Sequence, residues 1–154
     1  MGLDISLAGT GLSIWWQNPV IVQTLKTTTA DGDLVVRTDF VIRSVFKAIR
    51  QYKPDLIAVE APAFHPVRGM DTRGLEVAGA VKWALHFKDV VFVLVGTGTL
   101  KKFATGSGNA GKDAMVAAAR EWLPELKDHN QADAMFLAKY AAENYDSMVI
   151  ETSV

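Results

Sequence analysis

At 154 residues the chain is one domain long, and 49% apolar with 21% charged residues is the balance of a globular protein with a real core. It contains no cysteine, which excludes a disulfide framework and a Cys-ligated zinc site and fits a reducing, cytoplasmic compartment. The net charge of −1 lacks the basic excess of a bulk nucleic-acid binder, the apolar run "VVFVLVG" from Val90 is too short to span a bilayer, and a start bearing Asp4 with no basic region is unlike a signal peptide.

The chain opens with "GLDISLAG", where Leu3, Ile5 and Leu7 alternate with more polar neighbours as in a strand. Gly9-Thr10-Gly11 reads as a turn. "LSIWW" and "VIVQTLKT" read as two further strands joined at Gln17-Asn18-Pro19, which makes a meander of three. The period then changes. Val41, Val45, Phe46, Ile49 and Tyr52 fall at helical spacing and predict an amphipathic helix over 34–52.

"LIAVE" is a short apolar strand ending in Glu60, of the kind covered on both faces in a parallel sheet. The polar loop "APAFHPVRGMDTRG" leads to a helix over 75–87, whose Ala78-Gly79-Ala80 lets a neighbouring backbone approach closely. "VVFVLV" reads as another buried strand. Residues 96–111 read as a loop or short helix rich in Gly, Thr and Lys, followed by helices over 112–123 and 131–145 and a loosely attached tail over 147–154. The expected fold is α/β: a mixed five-stranded sheet, three strands antiparallel and two parallel, with helices on both faces. The domain is expected to span 1–146.

Three carboxylates occupy unusual places. Asp4 sits inside an apolar strand, Glu60 at the end of a buried strand, and Asp133 in the first turn of an Ala-rich helix. Singly, Asp133 is explained by the helix dipole and Glu60 by a wet strand end. A carboxylate within an apolar strand is costly unless it is paired or binds a metal, so Asp4 resists a bland explanation. Carboxylates that stay ionised together need cations between them. Two divalent ions roughly 4 Å apart at such a set would activate water against a phosphodiester, and Mg²⁺ or Mn²⁺ suits oxygen ligands.

"TGSGNAGKD" contains Gly106-x-x-x-x-Gly111-Lys112, the P-loop pattern except for Asp113, where a Mg²⁺-binding Ser or Thr belongs. No strand runs directly into Gly106, and Asp113 would repel a triphosphate. This leaves open whether the lysine grips some other phosphate.

In "GLDISLAGTGLSIW", "DLIAVEAPAF", "TLKKFATGSGNAGKDAMV" and "NQADAMFLAKYA", taken in order, the chain resembles the RuvC-type Holliday-junction resolvases of the RNase H-like superfamily. The resemblance runs from about Gly2 to Ala142. It implies a metal-dependent endonuclease that cuts branched DNA with symmetric nicks, in the cytoplasm of a bacterial or phage-infected cell. It implies catalytic Asp4, Glu60, Asp133 and Lys112, and two Mg²⁺ or Mn²⁺ ions held by Asp4, Glu60, Asp133 and Asn130. Asn130 departs from the family's usual Asp or His there; an amide oxygen ligates but brings no charge. His129 is the alternative ligand if the helix starts differently, and otherwise an exposed residue before the helix. Asn130 is otherwise a plain N-cap.

Lys101, Lys102 and Lys112 make a basic cluster, with Arg68 and Arg73 in the loop after Glu60, that fits DNA contacts, and the resemblance implies an aromatic wedge close to Phe64. Each has a simpler explanation as surface charge or core packing. Trp15, Trp16, Trp83 and Trp122 read as core or interface rather than base-stacking residues. Symmetric cutting of a four-way junction implies a homodimer, with the 75–87 helix and Trp83 as interface material. No membrane partner is expected. The rival readings are a nuclease acting on flap DNA or RNA–DNA hybrid, a catalytically weak binder of branched DNA, and the actin and sugar-kinase branch, which needs over twice this length.

Overall fold

The computed structural model of the chain describes residues 1–61 and 72–152. Strands β1 (Gly2–Asp4), β2 (Gly9–Trp16) and β3 (Asn18–Lys26) form the expected antiparallel meander. Helix α1 (Leu34–Tyr52) covers the residues its periodicity predicts. Strand β4 (Ile57–Glu60), helix α2 (Arg73–Phe87) and strand β5 (Phe92–Val95) follow, then helices α3 (Thr97–Thr105), α4 (Lys112–Arg120), α5 (His129–Glu143) and α6 (Tyr145–Thr152). The sheet runs β3-β2-β1-β4-β5, with β4 parallel to both β1 and β5.

Both sheet faces are covered. Leu3, Leu12, Ile57 and Val59 pack against Val41 and Val45 of α1 and Val77, Val81 and Leu85 of α2. On the other face Ala58 and Val95 join Leu100 of α3, Met115 and Ala119 of α4, and Ala132, Met135 and Leu137 of α5.

Several boundaries differ from those read in the sequence. The first strand stops at Asp4, and the turn falls over Ile5–Ala8 rather than at Gly9–Gly11, which belong to β2. Thr10 closes that turn, its Oγ1 donating to the Ser6 carbonyl at 2.7 Å, while the Gly9 amide donates to Ser6 Oγ at 3.1 Å. The β2–β3 joint narrows to Gln17, at φ 60°, and Pro19 is tolerated because β3 is an edge strand. Strand β5 is the opposite edge; Leu94 is 52% exposed there, so the expected full burial does not hold. The segment expected as a loose tail from 147 is helical as α6.

One contact sets the position of everything that follows. Helix α5 lies on β1 and β2 so closely that a Cβ on Gly2 would stand 2.1 Å from the Ala134 carbonyl oxygen, and one on Gly11 would stand 2.0 Å from that of Asn130. Only glycine permits this approach.

Candidate active site

Asp4 and Gly11 are direct partners across β1 and β2, and Gly2 and Asp4 point to the same sheet face because side chains alternate. That face carries α5. In the parallel pair Gly2 faces Ala58 and Leu3 faces Val59, so the next step brings Asp4 beside Glu60. Both strands end there, at the carboxyl edge of the sheet, where open α/β sheets receive ligands. Asp133 comes down from α5, one turn past the helix start. The three carboxylates line a single cleft of 480 Å³, with Lys101, Lys112, His129 and Asn130 on its walls.

The start of α5 differs from the sequence expectation. Its N-cap is Asp128, whose carboxylate accepts from the Gln131 amide at 3.0 Å and from Thr24 Oγ1 of β3 at 3.0 Å. The Gln131 side chain accepts in turn from the Lys127 amide at 2.9 Å. Asn130 is therefore inside the helix and not its cap, and Asp133 sits in the second turn rather than the first. With the helix beginning at His129, both His129 and Asn130 face the cleft.

The electrostatics are those of crowded carboxylates. Burial, then the charges of Glu60 and Asp133, push Asp4 from its ordinary value to about 8, and a hydrogen bond with Glu60 acts in the same direction. Burial and Glu60 raise Asp133 to about 6, opposed by Lys101 and Lys112. A hydrogen bond between Asp4 and Glu60 requires one of them to carry a proton. Like charges at this spacing are relieved either by a proton or by a cation.

Among the described residues no three His, Asp or Glu side chains are gathered closely enough to hold a metal ion as they stand. The donor chemistry nevertheless fits one. The set is all oxygen, three carboxylates and an amide carbonyl, the preference of hard divalent ions. A divalent ion would take over the role of the shared proton.

Three helices begin at this cleft. Thr97 opens α3, Lys112 opens α4 and His129 opens α5, and all three residues line it. Helices α3 and α4 start after Gly96 and Gly111, which provide no side-chain cap for their first amides. Helix N-termini carry partial positive charge and favour phosphate. Gly106 is the left-handed cap ending α3, at φ 80°, and Gly111 precedes α4. The P-loop-like stretch is therefore a helix–helix joint, not a strand–helix loop.

Of the expected DNA contacts, Lys101 and Lys112 line the cleft; Lys102 is exposed but does not line it, and Arg73 is exposed at the start of α2. Phe64 and Arg68 lie outside the described residues. His129, read in the sequence as an exposed residue before a helix, is a cleft residue. Its Nε2 lies 3.2 Å from Lys112 Nζ. The Asp128-x-x-Gln131 spacing was the signal that could have moved the helix start forward. Trp15 and Trp122 meet edge to face at 5.5 Å and Trp83 stacks on Phe87 at 5.1 Å, but Trp16 and Trp83 are exposed and are not core residues of the chain.

No family model matches the sequence, and no curated protein matches it. Solved structures do match. RuvC of Thermus thermophilus in complex with a Holliday junction substrate superposes with a TM-score of 0.74 at 22% identity, covering 96% of this chain and 93% of that one. The structure of T. thermophilus RuvC alone gives 0.71 at 19% identity, covering 95% and 94%. The yeast mitochondrial Holliday junction resolvase gives 0.59 at 10% identity, covering 96% and 84%. With the strand order, the two covered faces and this end-to-end superposition together, the chain has the RNase H-like fold of the RuvC-type Holliday junction resolvases.

Proposed function

We propose that the protein is a metal-dependent endonuclease that resolves four-way DNA junctions by hydrolysing phosphodiester bonds, and that it works as a homodimer. The observation that carries this is the meeting of Asp4, Glu60 and Asp133, from three separate elements, in one cleft walled by Lys101 and Lys112. The T. thermophilus neighbour, solved with a Holliday junction substrate, supports the choice of substrate.

Asp4, Glu60, Asp133 and the side-chain oxygen of Asn130 would hold Mg²⁺ or Mn²⁺. Ions bound there would supply an activated water and stabilise the leaving oxygen. The protein's own groups do the rest. Asp4, beside Glu60 at the strand ends and within electrostatic reach of Asp133, would be the central metal ligand. Lys112 steadies charge developing on the scissile phosphate. Lys101, Lys102 and Arg73, with Phe64 and Arg68 of the segment that follows Glu60 in sequence, contact the DNA. The helix starts of α3 and α4 add amides to the phosphate-binding surface. No helix of the described residues is long and apolar enough to cross a membrane, and the proposed place of action is the cytoplasm of a bacterial or phage-infected cell.

The test is cleavage of a labelled four-way junction beside linear duplex, flap DNA and RNA–DNA hybrid, with Mg²⁺ or Mn²⁺. Paired symmetric nicks confined to the junction are expected. Cutting of flap or hybrid instead would retain the site and replace the substrate. Lys112→Ala is expected to slow cutting by about 10²–10³-fold, the cost of losing one preorganised charge-stabilising donor.

The dimer rests on the outer face of α2. Leu75, Gly79, Trp83 and Phe87 recur every four residues and form one stripe. Trp83 is 65% exposed and Phe87 61% exposed, large apolar rings left in water on a lone chain. A Cβ on Gly79 would meet nothing within 4 Å, leaving room for a second helix. The inner end of the same helix lines the cleft at Gly74, Leu75 and Ala78, so pairing along it couples two sites. Sedimentation at micromolar concentration should give a dimer, and Trp83→Glu should give a monomer. A monomeric wild type would remove the dimer from the proposal.

A further inference from the structure

We propose that His129 is a positioning residue for Lys112, holding its ammonium at the wall of the cleft and away from the carboxylates. This rests on the reading of Lys112 as a phosphate-steadying group. Lys112 and His129 are the first residues of α4 and α5, and both line the cleft. Lys112 Nζ lies 3.2 Å from His129 Nε2. A lysine ammonium has donors only, so Nζ donates and Nε2 accepts, with the imidazole proton on Nδ1.

The two residues differ in how firmly they are held. His129 sits on a helix start pinned by Asp128, which receives both the Gln131 amide and the Thr24 hydroxyl of the neighbouring strand. Lys112 starts a helix with no side-chain cap, and its charge rides on a flexible four-carbon stem. The charge of Lys112 acts on both Asp4 and Asp133. Left alone, the ammonium is drawn toward those acids, where it would occupy the space that cations need. A neutral acceptor fixed to the side offers it another partner without adding a competing negative charge. Held at the cleft wall, the ammonium remains available to a phosphate entering the cleft.

The experiment has two arms. In the first, ¹⁵N NMR of the His129 imidazole is recorded on the wild-type chain and on Lys112→Ala, with no metal and no DNA. The expected result is the Nδ1–H form in the wild type and a shift of the Nε2 resonance in the variant. Identical His129 spectra in the two proteins would overturn the proposal whatever the enzyme cuts. In the second arm, single-turnover cutting and junction affinity are measured for His129→Ala, His129→Gln and each combined with Lys112→Ala. Gln places an acceptor where Nε2 stands. His129→Ala is expected to slow cutting by about tenfold, in line with the cost of a misplaced group, with affinity within about twofold. His129→Gln should restore the rate, and His129→Ala should cost nothing further once Lys112 is gone. A full additional loss in the Lys112→Ala background, or a changed dependence on Mg²⁺ concentration that Gln fails to correct, would overturn it. If the wild type cuts no branched DNA, the functional reading fails and the spectral arm still decides the contact.

Discussion

Asp4→Asn is expected to abolish junction cutting while making the protein more stable at neutral pH. The loss should reach about three orders of magnitude, since charge stabilisation at such a site is worth several kcal/mol and each 1.36 kcal/mol is tenfold in rate. The gain in stability follows from proton linkage. Asp4 stands at about 8 in the folded chain against 3.8 in its ordinary state, raised by burial and then by Glu60 and Asp133. A carboxyl raised in this way holds its proton more tightly when folded. Its contribution to stability is complete below about 3.8 and is lost progressively as pH climbs through about 8. Asp133, raised to about 6, adds a loss of the same sign.

At pH 7 the strain on Asp4 is on the order of a few kcal/mol, and Asn at that position carries none of it. For a chain of this size each kcal/mol moves Tm by about 2–4 °C. Thermal melts from pH 5 to pH 8 should therefore show the mutant's advantage over wild type widening with pH. Millimolar Mg²⁺ should raise the wild-type Tm at pH 8, by mass action on the folded state, and leave Asp4→Asn nearly unmoved. A mutant that cuts like wild type, or whose advantage shrinks as pH rises, would show that Asp4 is not a strained site carboxylate.

Gly11→Ala is expected to cost at least about 3 kcal/mol, at the upper end for overpacking, because what the new methyl meets cannot move aside. Its Cβ would stand 2.0 Å from the Asn130 carbonyl oxygen and 2.8 Å from the Asn130 carbonyl carbon. These are backbone atoms of α5, so relief requires lifting the helix. A Tm lower by roughly 6–12 °C is the reading at this chain length. Cutting should fall as well, because α5 carries Asn130 and Asp133, and a displacement of about 1 Å at such groups can cost about 10²-fold. Gly98→Ala is the control: its Cβ would meet nothing within 4 Å, and the helix gains from losing a glycine. Equal melting of the two variants would mean that α5 does not lie on β2 as closely as described.

Much of this architecture was legible from local pattern. Helical spacing of Val41, Val45, Ile49 and Tyr52 placed α1 to the residue, and the apolar run to Glu60 placed β4, because each element's burial is written in its own period. Edges were less legible. Leu94 looks like a core residue in "VVFVLV", but whether a strand is central or last in a sheet depends on what lies beyond it. The turn after Asp4 was also misplaced, because Thr10 closes it through its hydroxyl and the alternation of Leu3, Ile5 and Leu7 carries on past the strand's end.

The candidate site divides in the same way. The sequence alone singled out Asp4, since a carboxylate in an apolar strand is costly wherever the strand goes, and it paired Glu60 and Asp133 with it by order along the chain. Tertiary structure decided that all three share a cleft. That outcome depends on the register that sets β1 against β4, and on Gly2 and Gly11, whose missing side chains let α5 descend onto the sheet. It also decided the role of His129. The Asp128-x-x-Gln131 spacing marks the helix start locally, but Asp128 is also tied to Thr24 of β3, a residue 104 positions away. No local pattern carries such a contact, because it exists only once the strand and the helix have been brought together.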